Sequence, residues 1–433
     1  MASDYIYFLI GDLGGTNTRW WVVPCVKPAH PKRPEALFTR RYATASFSSF
    51  DALVQAIVDD LPSSLSAKVA QCTLAACGPV DPATGCALCL APCMAGGWLV
   101  QPDILAKALA LPKQRIHIIN DFVAVGLALP LVRDVAQVLH PGDGIDPTAP
   151  IACLGPGTGL GSCLCVPQGD GFRVLPSEGG MSDYVPRTQL EWELRQHIAR
   201  ALGLPTHVEV ERVISGPGLR NIYAFLASHG AHATPASTPP PAMAAATVLA
   251  STDPARTIAE HGVRGCPAAD ELCCRALDLF LAALGSEAAN LALRFLPRGG
   301  VMLAGGGIVG KLRASIGDGR VTAAYLDKGA SVEAYRGIPL LALDAVDGDT
   351  LGQLGAWQHA WQRYTCQAQP SASPTSSVDS AARGAAARVA ARVRGGGLGG
   401  GLGGGLGGLC ALAAVAAAGG AFMALRLTRR HTD

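Results

Sequence analysis

One pattern occurs twice in this 433-residue chain and limits the folds open to it: an apolar strand, a glycine-rich turn, and a second apolar strand running back. The first copy is "YIYFLIGDLGGTNTRWWVVPCV", close to the start, and the second is "PIACLGPGTGLGSCLCV". Short apolar runs bounded by turn residues read as buried strands, and glycine lets the backbone reverse tightly. Around these hairpins, strand and helix patterns alternate. "SSFDALVQAIVDDL" predicts a helix with a serine or aspartate cap, "KVAQCTLAACGPV" a strand, "QPDILAKALAL" a helix, and "RIHIINDF" a strand with polar residues at its carboxyl end. Helices follow at "RTQLEWELRQHIARAL", "SGPGLRNIYAFLA" and "ADELCCRALDLFLAALGSEAANLALRFL", and "GGVMLAGGGIVG" closes with a strand and a glycine turn. The whole predicts a duplicated α/β architecture with a cleft between its halves and its chemistry at the carboxyl ends of strands.

Neither glycine turn matches G-x-G-x-x-G or the P-loop. Successive backbone N–H groups in such a turn nonetheless form a nest for anionic oxygens, and glycine lets a phosphate approach without a side-chain clash. "GDLGGTN" adds an acid at Asp12, a hydroxyl at Thr16 and an amide at Asn17. An acid beside a phosphate nest argues for Mg²⁺ between them, held through water. "GPGTGLG" supplies a second nest with Thr158, and two nests across a cleft suit the β- and γ-phosphates of a nucleotide. In "IINDF", Asp121 reads equally as a general base for an attacking alcohol or as the N-cap of the helix "FVAVGLAL". Glu178 and Glu211, with the amide of Asn120, are the residue types that grip sugar hydroxyls. Taken singly, each is a hairpin turn, a cap or a solvated acid; their weight comes from the set.

Charge excludes one class of partner. Lys+Arg 35 against Asp+Glu 33 leaves +2, without the basic footprint that nucleic acid requires. The 14 cysteines lie in apolar segments and read as reduced, buried thiols; Cys86, Cys89 and Cys93 have a metal-like spacing but lack the second half of a zinc site. "MASDYIYFLIGD" has no basic segment before its short apolar run, so the catalytic part is expected in the cytoplasm.

The motifs "GDLGGTN", "IINDFVAVGLALP", "GPGTGLG", "SEGGMSDYVP", "ERVISGPGLRNIY" and "GGVMLAGGGIV", in this order and spacing, resemble the bacterial-type glucokinase family of the hexokinase and actin-like ATPase superfamily, over about residues 5 to 364. The resemblance implies a duplicated ribonuclease H-like (actin-like ATPase) fold: a small α/β domain of residues 1–130 with about 345–364, and a large one of 131–344. It implies an ATP:D-glucose 6-phosphotransferase that makes glucose 6-phosphate and ADP at the entry to glycolysis. Asp121 would be the base, and Asn120, Asp121, Glu178 and Glu211 would hold the sugar. Asp12, Gly14, Gly15, Thr16 and Asn17 would form one phosphate loop, with Asp12 on Mg²⁺ through water. Gly157, Thr158 and Gly159 would form the other, and Gly305 and Gly306 would lie against the adenosine. A homodimer is left open.

One position departs from the family pattern: where "EGGH" has a sugar-binding histidine, this chain has Met181. Loss of such a bond costs about 0.5–1.5 kcal/mol. The expectation is weaker or broader sugar binding, so that a hexokinase of broader specificity and a catalytically impaired sugar-binding regulator both stay open. An actin-like or chaperone-like ATPase would share the phosphate loops but would have no need of Glu178 and Glu211.

Three segments read as lying outside the packed fold. Residues 228–254, with "HATPASTPPPAMAAAT", read as a mobile insertion, and 365–394 as a disordered basic linker. Residues 395–433 form a glycine- and alanine-rich tail in which 409–425, "LCALAAVAAAGGAFMAL", is uncharged and flanked by arginines. With the glycine-rich stretch before it, this tail exceeds the roughly 20 residues of a membrane span, which suggests a tail anchor on an organelle outer membrane.

Overall fold

The computed structural model describes residues 6–25, 34–91, 93–94, 96–169, 171–204, 206–233, 243–304, 308–343 and 351–368. The chain divides into a unit of residues 1–368 and a second of 369–433. The second unit, and with it the expected anchor at 409–425, lies outside the described residues, as do Gly305 and Gly306.

Among the described residues thirteen strands run in chain order: β1 (Ile6–Leu13), β2 (Asn17–Cys25), β3 (Phe38–Ala43), β4 (Val69–Ala76), β5 (Ala87–Cys89), β6 (Trp98–Val100), β7 (Ile116–Asn120), β8 (Gln137–His140), β9 (Ile151–Pro156), β10 (Leu160–Gln168), β11 (Gly171–Ser177), β12 (Val301–Leu303) and β13 (Leu340–Ala342). One sheet has the order β3-β2-β1-β4-β7 and the other β11-β10-β9-β12-β13-β8. Each expected hairpin is antiparallel and near the middle of its sheet: β1 on β2, with Asp12 opposite Arg19, and β9 on β10, with Gly155 opposite Gly161. Beside each hairpin the sheet continues with a parallel strand, β4 on β1 and β12 on β9.

Both hairpin strands are buried on two faces, which is why they read as unbroken apolar runs. Side chains alternate across a strand. In β1, Phe8 and Ile10 join one hydrophobic cluster while Leu9 and Leu13 join another; in β9, Ile151 and Cys153 face one way and Ala152 and Leu154 the other. The cluster shared by the two sheets also holds the apolar residues of the helices Asp121–Val132 and Leu351–Ala368. These two helices therefore pack between the sheets. The outer face of the five-stranded sheet is covered by the helix Phe50–Asp60, capped by Ser49 Oγ accepting from Ala52 N at 3.2 Å, and that of the six-stranded sheet by helices that include Glu271–Phe295.

Glu271–Phe295 is, among the described residues, the one helix long and apolar enough to cross a membrane, but 72% of its apolar window is buried in this core. The interval 228–254 is more regular than its composition suggests. The helix Gly216–Ala233 runs into it and Ala245–Leu249 is helical, with Val248 fully buried; residues 234–242 lie outside the described residues. Alanine is the strongest helix former, and Val248 supplies the apolar contact that docks the short helix.

Candidate active site

The two glycine turns come together at their tips, where the exposed Thr16 and Thr158 hydroxyls lie 3.5 Å apart. In the first turn Gly14 N donates to Asn17 O at 3.0 Å, and in the second Gly157 N donates to Gly159 O at 2.8 Å. Those two amides close the turns; the amides of Gly15, Thr16 and Thr158 take no part in these closures and are the ones suited to an anion. Asn17 Oδ1 accepts from Arg41 Nε at 3.2 Å. The second turn is seated by Gly216 N, which donates to Gly157 O at 2.9 Å.

β7 ends at Asn120, and Asp121 is the residue that follows it. The cap is Asn120: its Oδ1 accepts from Phe122 N at 2.9 Å and Val123 N at 3.1 Å, while its amide donates to Gly78 O and to Asp121 Oδ1, both at 3.1 Å. An amide has two donor hydrogens and two acceptor lone pairs, and here all four are engaged. In this structure the Asn120 side chain caps the helix and donates to Asp121.

Asp121 is the first helical residue, with Oδ1 also accepting from Phe122 N at 2.9 Å. Burial first, and then the charges of Asp12 and Glu178, push its carboxyl up to about 7, against partial compensation from the Phe122 amide. The charges of Asp12 and Glu178 thus both act on the buried carboxyl that follows β7.

Asp12 has a basic partner across the hairpin. Arg19 Nη1, directly across the hairpin, lies 3.5 Å from its Oδ2, and both side chains are largely buried. Among the described residues no group of three or more His, Cys, Asp or Glu could hold a metal, and Cys86, Cys89 and Cys93 carry free thiols. One carboxylate beside a phosphate turn fits Mg²⁺ arriving on a nucleotide, since that ion keeps several waters and takes one or two carboxylates plus phosphate oxygens.

Both expected sugar acids adjoin the second turn through Leu160. Glu211 Oε2 accepts from Leu160 N at 3.2 Å, and a Cβ on Gly159 would come within 2.6 Å of that oxygen. Burial raises the Glu211 carboxyl, with the Leu160 amide and Arg212 opposing. Glu178 opens a short 3₁₀ turn, Gly179–Met181, whose Gly180 is buried against Leu160. Partial burial and then the charge of Glu211 raise Glu178. Met181 lies on the same turn and is 52% exposed.

A family model described as Glucokinase matches residues 9–362. The chain belongs to the glucokinase family. It is 34% identical over 358 residues to a glucokinase of Synechocystis sp., covering 78% of this chain and 94% of that one. A solved glucokinase from an Antarctic psychrotroph superposes with a TM-score of 0.60 at 25% identity, over 82% of this chain and 99% of its own. A glucokinase from Balamuthia mandrillaris in complex with glucose, at 20% identity, shares the fold with a TM-score of 0.67, over 84% of this chain and 95% of its own. The two sheets and the helices between them are accordingly the actin-like ATPase fold of this family.

Several residues that shape the glucokinase-family site were not singled out in the sequence. Arg19 had a legible signal, because a tight hairpin puts the residues flanking its turn opposite one another. Arg41 and Thr44 come from β3 and the turn after it, Thr44 Oγ1 donating to Gly14 O at 2.8 Å. The Cys93 thiol donates to Gly15 O. Phe122 fills the space over the Gly155–Gly161 pair, where a Cβ on either glycine would come within 2.5 Å or less of its ring. These contacts join segments far apart in the chain and have no local signature.

Proposed function

We propose that the chain transfers the γ-phosphoryl group of ATP to the O6 hydroxyl of glucose, giving glucose 6-phosphate and ADP, with Asp121 as the general base. The observation that carries this reading is the carboxyl of Asp121, raised to about 7, beside two glycine turns whose hydroxyls nearly touch. A base works best when its pKa lies near the operating pH. Phosphoryl transfer asks mainly for positioning and charge neutralisation, and the site is built for both.

In this reading Asp121 accepts the O6 proton as the oxygen attacks the γ-phosphorus, and Asn120 holds the carboxylate in line. Glu178 and Glu211 orient the other hydroxyls, with Met181 at the rim of the sugar site. Gly15, Thr16 and Asn17 serve one set of phosphate oxygens, and Gly157, Thr158 and Gly159 the other, with Gly14 closing its turn. Gly305 and Gly306 remain candidates for the adenosine. When Mg²⁺ accompanies ATP it supplies charge neutralisation, and Asp12 is the carboxylate that would hold it through water. The residues around the five-stranded sheet would act as the small domain and those around the six-stranded sheet as the large one, closing on the sugar.

The test is a coupled assay of the full chain with ATP, Mg²⁺ and a panel of hexoses, beside Asp121→Ala. Glucose turnover lost in the variant is the expected result. Sugar-dependent stabilisation without turnover of any hexose would overturn it in favour of a sugar-binding regulator.

A further inference from the structure

We propose that His207 is a positioning residue that clamps the turn carrying Glu178 onto the segment carrying Glu211, and so tunes sugar affinity with pH. The inference rests on the reading of these two acids as sugar ligands.

The imidazole bridges two acceptors. Its Nδ1 lies 2.7 Å from Asp183 Oδ1 and its Nε2 lies 3.0 Å from the Met181 carbonyl oxygen. A carboxylate and a carbonyl can only accept, so a ring that satisfies both must donate from both nitrogens, which only the imidazolium does. Both acceptors belong to the stretch that begins at Glu178, while His207 opens the stretch that ends at Glu211. The same two stretches are joined by Tyr184 N donating to Val208 O and Val210 N donating to Ser182 O, each at 2.8 Å, and by a bridge between Asp183 and Glu209. The two side-chain bonds of His207 extend this backbone seam to Met181, on the 3₁₀ turn that Glu178 opens.

The charged surroundings favour the cation. The hydrogen bond and charge of Asp183, the Met181 carbonyl and the charge of Glu209 raise the imidazole above its ordinary value, outweighing a small loss of solvent. Glu209 is also held by Arg212, which approaches Glu211 at 3.9 Å, and Arg195 donates to Thr206 O at 2.6 Å from the neighbouring helix Gln189–Leu202. The sign follows: both bonds stand below the raised pKa, and one is lost as pH rises through it. The Glu178 turn is then less firmly held, and the KM for glucose rises.

The ring is exposed, so the expected change is small, a KM increase of roughly two- to fivefold across the titration of His207. The experiment measures KM and kcat for glucose against pH in the full chain, together with the ring titration of His207 by NMR, for wild type, Asp183→Asn and His207→Leu. The KM step should coincide with the ring titration and move to lower pH in Asp183→Asn. In His207→Leu it should vanish, with KM at the upper value, while kcat keeps the profile set by Asp121. A step that persists in His207→Leu, or stays in place in Asp183→Asn while the ring titration moves, overturns the clamp. A ring titration not raised above the ordinary histidine value does the same without any turnover. Absence of hexose phosphorylation in the wild type would sink the kinase reading instead.

Discussion

The two glycine turns look alike in sequence and are secured by different balances of polar and steric contact. The first, between β1 and β2, is tethered by polar groups: Asp12 to Arg19, Asn17 to Arg41, Gly14 O to Thr44 and Gly15 O to Cys93. The second, between β9 and β10, adds tight packing to its two hydrogen bonds from Gly216 N and to Glu211, with Phe122 over Gly155 and Gly161, Gly180 against Leu160 and Glu211 against Gly159. A nest is a backbone device and tolerates either support. The first setting puts the Asp12 carboxylate beside one turn, and the second brings Glu211 and the Glu178 turn up against the other. Phe122, next to Asp121, ties that carboxyl to the second turn while the charge of Asp12 acts on it from the first.

If Asp121 bridges the two turns, its loss should be the largest effect. Asp121→Asn is expected to lower kcat by about 10²–10⁴-fold. Because its folded pKa is raised, the ionised carboxylate opposes folding, and that cost grows as pH rises from the ordinary value to about 7 and is complete above it. The variant should therefore be more stable than wild type at about pH 8, by at most about 4 kcal/mol, the equivalent of that displacement, and show little difference at about pH 4 in denaturation. For the wild type, kcat/KM should fall as pH drops below about 7, where the free enzyme's base takes up its proton.

Steric support predicts an asymmetry between glycines. Gly161→Ala would put a Cβ 1.9 Å from the Phe122 ring, whereas Gly14→Ala meets only Asn17 O at 3.0 Å. Overpacking of the first kind costs about 1–3 kcal/mol and should displace Asp121, lowering kcat as well as the melting temperature. Gly14→Ala should cost less than Gly161→Ala, since its one close neighbour needs to give by only a few tenths of an ångström. Equal effects in a denaturation series would break the contrast.

Polar support predicts the converse. Thr44→Val removes a donor from Gly14 O and a partner 3.1 Å from Thr18 Oγ1, at a cost of about 1–2 kcal/mol, and should raise the KM for ATP more than that for glucose. The smallest effect is assigned to Met181→His, which should lower the KM for glucose by about two- to tenfold with kcat little changed. An unchanged KM would mean that this position does not reach the sugar.

The strand, turn and helix order was legible because periodicity is a local property. The apolar runs of β1 and β9, the Ser49 cap and the buried 271–295 helix all follow from a few adjacent side chains. The chemistry of "IINDF" was legible as residue types but not as roles. Asn and Asp are both good caps, and only the geometry shows Asn120 taking the helix amides and leaving Asp121 toward the cleft acids. In the alanine-rich interval, read from composition as a mobile insertion, helix propensity and one buried valine give a helix at Ala245–Leu249.

By itself the sequence determined the duplicated α/β plan, the two nests and the family, since each rests on short stretches whose order along the chain suffices. Tertiary structure alone decided the pairing of Asp12 with Arg19, the seating of Phe122 on two glycines, the raised carboxyl of Asp121 and the bridge made by His207. Each depends on distance and desolvation between residues that the chain brings together only when its two sheets pack about the same pair of helices.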